Sequence, residues 1–225
     1  MSGPELRAAG HLSTRMPDIS NRTLARRAAL AALVAAPWIW TGARAQPTVP
    51  LRPTPAQTEG PFYPLELPAD SDHDLLRNGM RDYRLGTPAW VEGRVLDTDG
   101  SALRGAQVEI WQCDQQGAYR HPRDRGQADP AFQGFGRVTA GADGGWRFRT
   151  IRPSPYAGRT PHIHLKVRLG RNELLTTQLY VEGDPGNGGD FLWRRLDAAG
   201  RSALTRPFMP GPDGLRAQYT LVVRA

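Results

Sequence analysis

Only one cysteine, Cys113, stands in the 225 residues, so no internal disulfide can hold this fold together. Lysine is as scarce: Lys166 is the sole one among 29 basic residues, and arginine carries the net charge of +7. No basic run is interleaved with aromatics, which removes the electrostatic footprint of a nucleic-acid partner. The apolar run from Ala28 to Trp40 is only thirteen residues long. That is too short to cross a bilayer, so no stable membrane span is expected. There is no internal repeat and no long helical period.

What surrounds that apolar run gives it a different meaning. Arg22, Arg26 and Arg27 precede it, and Ala43-Arg44-Ala45 follows it. A positive region, a short apolar core and an A-x-A site are the plan of a secretory signal peptide over residues 1–45, with Met16 as an alternative start. The expected location is therefore exported, periplasmic or secreted. The adjacent Arg26-Arg27 leaves the twin-arginine route open. Residues 1–45 hold six arginines against Glu5 and Asp18, a net +4, so cleavage lowers the charge from +7 to +3. The remaining 180 residues suffice for one domain with its own core.

Residues 46–64 read as an extended arm. The first part is proline-rich (Pro47, Pro50, Pro53, Pro55), and Thr58-Glu59-Gly60-Pro61-Phe62-Tyr63-Pro64 is irregular. The domain proper is expected over 65–225. Its first stretch, to residue 87, is polar and turn-rich. Asp70, Asp72, His73 and Asp74 there could gather round a metal, but a solvated loop accounts for them without one. From Ala89 the texture is β, with alternating runs at Trp90–Leu96, Ala106–Cys113 and Gly144–Ile151. His162–Leu169 and Leu174–Val181 form an expected hairpin, and Tyr219–Arg224 a last strand. One short helix is expected at Asp197–Leu204. Residues Asp114–Asp143 are left as a long ordered loop carrying Tyr119, His121 and Phe135. Short alternating strands divided by turns predict an all-β, antiparallel sandwich or barrel; the expected fold is the sandwich, transthyretin (prealbumin)-like, with long irregular loops.

The chemistry concentrates in Pro155-Tyr156-Ala157-Gly158-Arg159-Thr160-Pro161-His162-Ile163-His164. Residues i and i+2 of a strand share a face, so His162 and His164 can aim both imidazoles at one point. Neutral imidazole is the commonest metal ligand, yet two histidines on a solvated face, or one buried and hydrogen-bonded, fit the same pattern.

Together with Trp111-Gln112-Cys113-Asp114-Gln115-Gln116-Gly117-Ala118-Tyr119-Arg120-His121-Pro122, this segment resembles the intradiol ring-cleaving dioxygenases, the family of protocatechuate and catechol dioxygenases. Further matching stretches are Asp129–Arg137, Thr150-Ile151-Arg152-Pro153 and Thr176–Tyr180, and the resemblance runs from about Thr58 to Asp184. It implies a non-haem Fe(III) ion held by Tyr119, Tyr156, His162 and His164. It places Arg159 and Gln178 beside the substrate, and Thr58 and Pro61 along the aromatic pocket. The implied reaction uses O2 to open a small aromatic diol between its two hydroxyl-bearing carbons, giving a muconate-type diacid, with Tyr156 taking a substrate proton. Ala157 departs from the proline often found after the second tyrosine. The helical linker of the catechol-type enzymes is absent, and a homo-oligomer stays open.

The donor set supports that implication on its own terms. A phenol has a pKa of ~10, so a tyrosine ligand needs a strong Lewis acid to deprotonate it. Two hard phenolates suit ferric iron, whereas zinc favours Cys, His and carboxylate. His121 is read as a structural neighbour, Cys113 as buried and inert, and Trp111 and Ile110 as core. Two other readings remain at this level: a binding module that holds an aromatic or sugar ligand without turnover, and a zinc hydrolase built on the two histidines.

Overall fold

The computed structural model describes residues 49–124 and 127–225, so the expected signal peptide lies outside the described residues. A short hairpin comes first, β1 (Arg77–Asn78) and β2 (Arg81–Asp82). It is followed by β3 (Pro88–Asp97), β4 (Gln107–Trp111), β5 (Phe135–Thr139), β6 (Gly145–Ile151), β7 (His162–Leu169) and β8 (Asn172–Val181). Two short helices, α1 (Phe191–Arg194) and α2 (Ala198–Leu204), precede β9 (Thr205–Arg206), β10 (Met209–Gly211), β11 (Gly214–Gln218) and β12 (Leu221–Val223). Among the described residues no helix is long and apolar enough to cross a membrane.

Two five-stranded sheets form the expected sandwich. One runs β10-β11-β3-β12, with β6 also paired to β3, and the other runs β5-β4-β7-β8-β9. The alternation read from the sequence sorts side chains as a half-buried strand must. Val91, Val95 and Phe148 of the first sheet meet Val108, Ile110, Ile163, Leu165 and Leu179 of the second, all fully buried. Most pairings are antiparallel. β3–β11, β3–β12 and β8–β9 are parallel, which the sequence pattern did not suggest.

Two expectations need correction. The stretch Asp114–Asp143 is not loop throughout: β5 pairs with β4 from Thr139 opposite Gln107 to Phe135 opposite Trp111. Gly134 and Gly136 mask it, since a glycine carries no side chain to show alternation. At Gly136 the missing Cβ leaves room for the Asp72 carbonyl and Leu75, each of which a Cβ would approach to 2.7 Å. The acidic stretch is a surface segment only in part. Asp72 and His73 are exposed, but Leu75 is wholly buried in the core and Asp74 pairs with Arg149 at 3.1 Å. Among the described residues no group of three His, Cys, Asp or Glu side chains is placed to hold a metal.

Residues 51–57 carry neither helix nor strand and lie against both sheets. Leu51 N–H donates to Thr98 O, Thr54 N–H to Val222 O, and Gln57 N–H to Thr176 O. This path delivers the next seven residues onto the outer face of the β5-β4-β7-β8 sheet, where the site lies.

Candidate metal centre

β7 runs through the middle of its sheet and turns His162, His164 and Lys166 outward while Ile163 and Leu165 enter the core. The outward histidines are nonetheless buried, each 1% exposed. Their Nε2 atoms lie 3.2 Å apart. The Nδ1 of His162 meets the Thr160 carbonyl at 2.6 Å, which requires the proton on Nδ1 and leaves the Nε2 lone pair available. Trp111, opposite His164 in the ladder, stacks flat on it at 4.9 Å and 9°. Burial drives the His162 pKa down to about 4, helped by the Arg159 charge. His164 is also held well below its ordinary value, by burial first and then by His162 and Arg159. Both rings are therefore neutral at physiological pH.

Tyr119 arrives from the loop after β4. The Asp114 carboxylate orders that loop, accepting from Gln116 N–H and Ala118 N–H at 3.0 Å and from Asp129 N–H at 2.9 Å. Asp124 accepts from the N–H of Tyr119 itself. Gly117 (φ 80°) allows the loop to press on the other tyrosine segment, because a Cβ there would fall 2.7 Å from the Pro155 carbonyl oxygen. The two phenol rings consequently meet edge to face at 4.8 Å. Tyr156 lies 5.4 Å from the His162 ring and Tyr119 lies 6.2 Å from the His164 ring, measured between centroids.

Tyr156 is tied to Arg159 by a two-residue turn. Ala157 and Gly158 both have positive φ (44° and 77°), and Arg159 N–H closes the turn on Tyr156 O at 2.7 Å. Two left-handed central residues define a type I′ turn. For alanine this costs about 1 kcal/mol. Proline, locked near φ −65°, cannot occupy the position. The absence of proline noted in the sequence is thus imposed by the backbone here.

Beyond the turn, Arg159 is anchored from several sides. Its Nε donates to Asp190 Oδ2 at 2.6 Å and its Nη2 to Gln178 Oε1 at 2.8 Å. Gln178, which pairs with His164 across the β7–β8 ladder, donates through Nε2 to the Thr58 carbonyl at 3.1 Å. Thr58 therefore joins the site through its backbone, and its hydroxyl accepts locally from Gly60 N–H. Pro61 is exposed, between Gly60, whose Cβ position lies 3.3 Å from His164 Cε1, and Phe62, which stacks on Tyr119 at 4.4 Å.

Asp190 escaped the sequence reading. Its wholly buried carboxylate accepts from Arg159, from Thr160 N–H, and from Leu192 and Trp193 N–H at the start of α1. An aspartate just ahead of Phe191-Leu192-Trp193 is the one available signal, that of a helix N-cap. His121 stays outside the cluster: its Nδ1 accepts from Arg123 N–H at 3.1 Å. Cys113 is fully buried, with its thiol pushed up to about 12 by burial and by Asp114, as befits an unreactive position.

The donor set fits a hard trivalent metal ion. The Tyr119 hydroxyl is buried without a hydrogen-bond partner among the described residues, a costly state for a neutral phenol. Burial raises its pKa well above the ordinary value, reinforced by Cys113 and Tyr156, so only a strongly polarising ligand would deprotonate it. Tyr156 is more exposed; burial raises its pKa and the Arg159 charge pulls it back.

Comparison with known proteins bears on the same residues. A family model described as Dioxygenase matches residues 58–204. The protocatechuate 3,4-dioxygenase beta chain of Burkholderia cepacia is 35% identical over 175 residues, covering 72% of this chain and 74% of that protein. The hydroxyquinol 1,2-dioxygenase of Corynebacterium glutamicum is 30% identical over 181 residues. That match takes in 72% of this chain but only 58% of the longer relative. A solved structure, the dioxygenase domain of a dioxygenase carbohydrate-binding protein fusion from Streptomyces sp. SirexAA-E, superposes with a TM-score of 0.62 at 33% identity, covering 77% of this chain and 99% of that one.

Proposed function

We propose an activity from one premise: this chain belongs to the intradiol ring-cleavage dioxygenases, a family of oxidoreductases. The reading is a non-haem Fe(III) enzyme that uses O2 to cleave a catechol-type ring between its two hydroxyl-bearing carbons, yielding a muconate-type diacid. The observation that carries it is the meeting of two neutral imidazoles, with Nε2 atoms 3.2 Å apart, and two phenols, one of them buried and unpartnered. Tyr119, Tyr156, His162 and His164 would hold the ion. A ferric ion there would supply Lewis acidity toward the catechol oxygens and would draw electron density from the ring.

The chain's own groups divide the remaining tasks. Tyr156 is the more accessible phenol and its basicity is raised by burial, so it is the group suited to take a proton from the incoming diol. Arg159, fixed next to it by the I′ turn and by Asp190, provides a preorganised positive charge for the negative charge that develops on the ring. Gln178 holds that guanidinium in line with the Thr58 segment. Thr58 and Pro61 are assigned to the wall of the aromatic pocket. Trp111 and Phe62 shield His164 and Tyr119 from water.

The test begins with the metal. Purified protein is expected to be coloured by tyrosinate-to-iron charge transfer, to carry iron, and to consume O2 with catechol while releasing a cis,cis-muconate. A semialdehyde product, or no oxygen uptake by iron-loaded protein, overturns the reaction. Tyr119→Phe and His162→Ala should each lower bound iron by more than about tenfold. Unchanged iron in both would sink the ligand assignment. We also assign the protein to an exported location on the residues preceding Ala45; a mature N-terminus beginning near Gln46 is the expected result of sequencing secreted material.

A further inference from the structure

Gly60, Pro61 and Phe62 belong to no helix or strand, yet they rest directly on two of the proposed metal donors. Gly60 presses on the Nε2 side of His164: a Cβ there would stand 3.3 Å from Cε1 and 3.9 Å from Nε2. Phe62 stacks on Tyr119 at 4.4 Å and 17°, and meets the Tyr156 ring edge-on at 5.7 Å. His164 and Tyr119 are at most 2% exposed, so a competing ligand reaches these two donors only when what lies on them moves. The strands beneath are fixed by their ladders, whereas residues 60–62 make no backbone–backbone hydrogen bond among the described residues. The Gly60 N–H donates locally, to the Thr58 hydroxyl at 3.3 Å. This span is therefore the part of the cover that lifts with the fewest bonds broken.

The charge that holds the span down is a single ammonium. Lys166, the sole lysine of the chain, lies on β7 two residues beyond His164, and its side chain is 3% exposed. It pairs with Glu59, the residue before the span, and its Nζ sits 3.9 Å from the ring centroid of Tyr63, the residue after it. Both ends of the span thus close on one charge, by an ion pair at one end and a cation–π contact at the other. The Tyr63 end is doubled, because its hydroxyl also donates to buried Glu109 at 2.8 Å. The Glu59 side chain is 43% exposed, so water and salt compete for that pair. Its release does not strand Lys166, since Glu173 on the neighbouring β8 stays bound at 3.1 Å. Of the two carboxylates on this ammonium, the one from the arm is tied to the cover.

We propose that Glu59 and Lys166 are positioning residues that form a clasp, whose opening lifts residues 60–62 from His164 and Tyr119 and sets how fast the site exchanges its metal. The inference rests on the Fe(III) reading above. Iron-loaded wild type, Glu59→Ala and Glu173→Ala are each mixed with excess chelator, and the loss of the charge-transfer colour is followed. Each variant removes one half-exposed carboxylate from Lys166, but only the first unfastens the cover. Glu59→Ala is expected to release iron about fivefold faster than wild type, the equivalent of one half-exposed ion pair, and Glu173→Ala at the wild-type rate. Raising the salt from about 0.05 M to about 0.5 M should speed release from wild type and leave Glu59→Ala unchanged. Equal acceleration in both variants would make the network merely structural and overturn the proposal, as would an unchanged rate in Glu59→Ala. Hydrogen exchange over residues 57–63 of the iron-free proteins reads the same opening without the metal, and should be faster in Glu59→Ala alone. A protein that takes up no iron sinks the metal reading, and exchange then decides the clasp: equal exchange in all three proteins overturns it.

Discussion

Arg137, Glu109 and Lys166 lie side by side across β5, β4 and β7, and two residues along the same strands lie Phe135, Trp111 and His164. The Thr58–Pro64 segment covers both rows, and Glu109, Lys166 and His164 are all buried. In the first row every charge finds its partner within the chain. Glu109 accepts from Arg137 and from the Tyr63 hydroxyl, while Lys166 pairs with Glu59 and Glu173. Burial alone would lower the Lys166 pKa, but the two carboxylates outweigh it and raise it. In the second row and the side chains beside it burial prevails: His164 is pushed down, His162 next to it is pushed down although the Thr160 carbonyl and Asp190 offset part of the effect, and the Tyr119 hydroxyl has no hydrogen-bond partner among the described residues. Equal burial thus has two outcomes. A closed row is structural, and an open one is prepared for something the chain does not itself supply.

The comparison can be broken most forcefully at the closed row. Glu109→Leu strands Arg137 and the Tyr63 hydroxyl, and should cost about 3 kcal/mol of stability in urea unfolding, in line with breaking one side of a buried pair. A cost below about 1 kcal/mol would show that the row is not closed in the sense argued.

Asp190→Asn comes next. It removes the charge that fixes Arg159 without touching the four proposed metal donors. Ring cleavage should fall by about tenfold, the value of one hydrogen bond to a charged group, with iron content retained. Burial works to raise the Asp190 pKa, but the Arg159 bond outweighs it and holds the carboxyl below the usual range. Its contribution is therefore complete above pH ~4 and is lost as the pH falls through the lowered value. The wild-type protein should lose stability in acid more steeply than Asp190→Asn. Parallel acid limbs would show that the Asp190 carboxyl is not held below its ordinary range in the folded protein.

The smallest effect is expected at the open row. Tyr119→Phe deletes an unpartnered buried hydroxyl, so the iron-free protein should be at least as stable as wild type and gain up to about 1 kcal/mol in urea unfolding. Loss comparable to that of Glu109→Leu would mean that the hydroxyl has a partner within the protein.

Much of this was readable from the residues, for reasons that differ by position. The His162–Ile163–His164 alternation announces both a strand and a shared face, and the structure shows both. β3, β4, β6, β7 and β8 alternate plainly. β5 does not, because glycines interrupt it, and β9 to β11 are too short and too rich in glycine and proline. The closed row was hidden for another reason. Glu109 and Lys166 occupy outward strand positions that read as solvent-facing, and only the arm folded across them makes them interior. Asp190 belongs to no periodic element and follows the glycine-rich turn Pro185–Gly189, so its grip on Arg159 exists only in three dimensions.

The arm that covers both rows precedes β1, yet it docks on β8 and β12, far along the chain. Thr54 both donates to the Val222 carbonyl and accepts from its N–H through the side chain, a pairing 168 residues apart. Contacts this distant close late in folding. The roof over His164 and Tyr119 is therefore fully anchored only once β12 is in place. A chain ending before Leu221 is accordingly expected to bind iron loosely and to lose it on dialysis against a chelator, whereas the full-length protein keeps it.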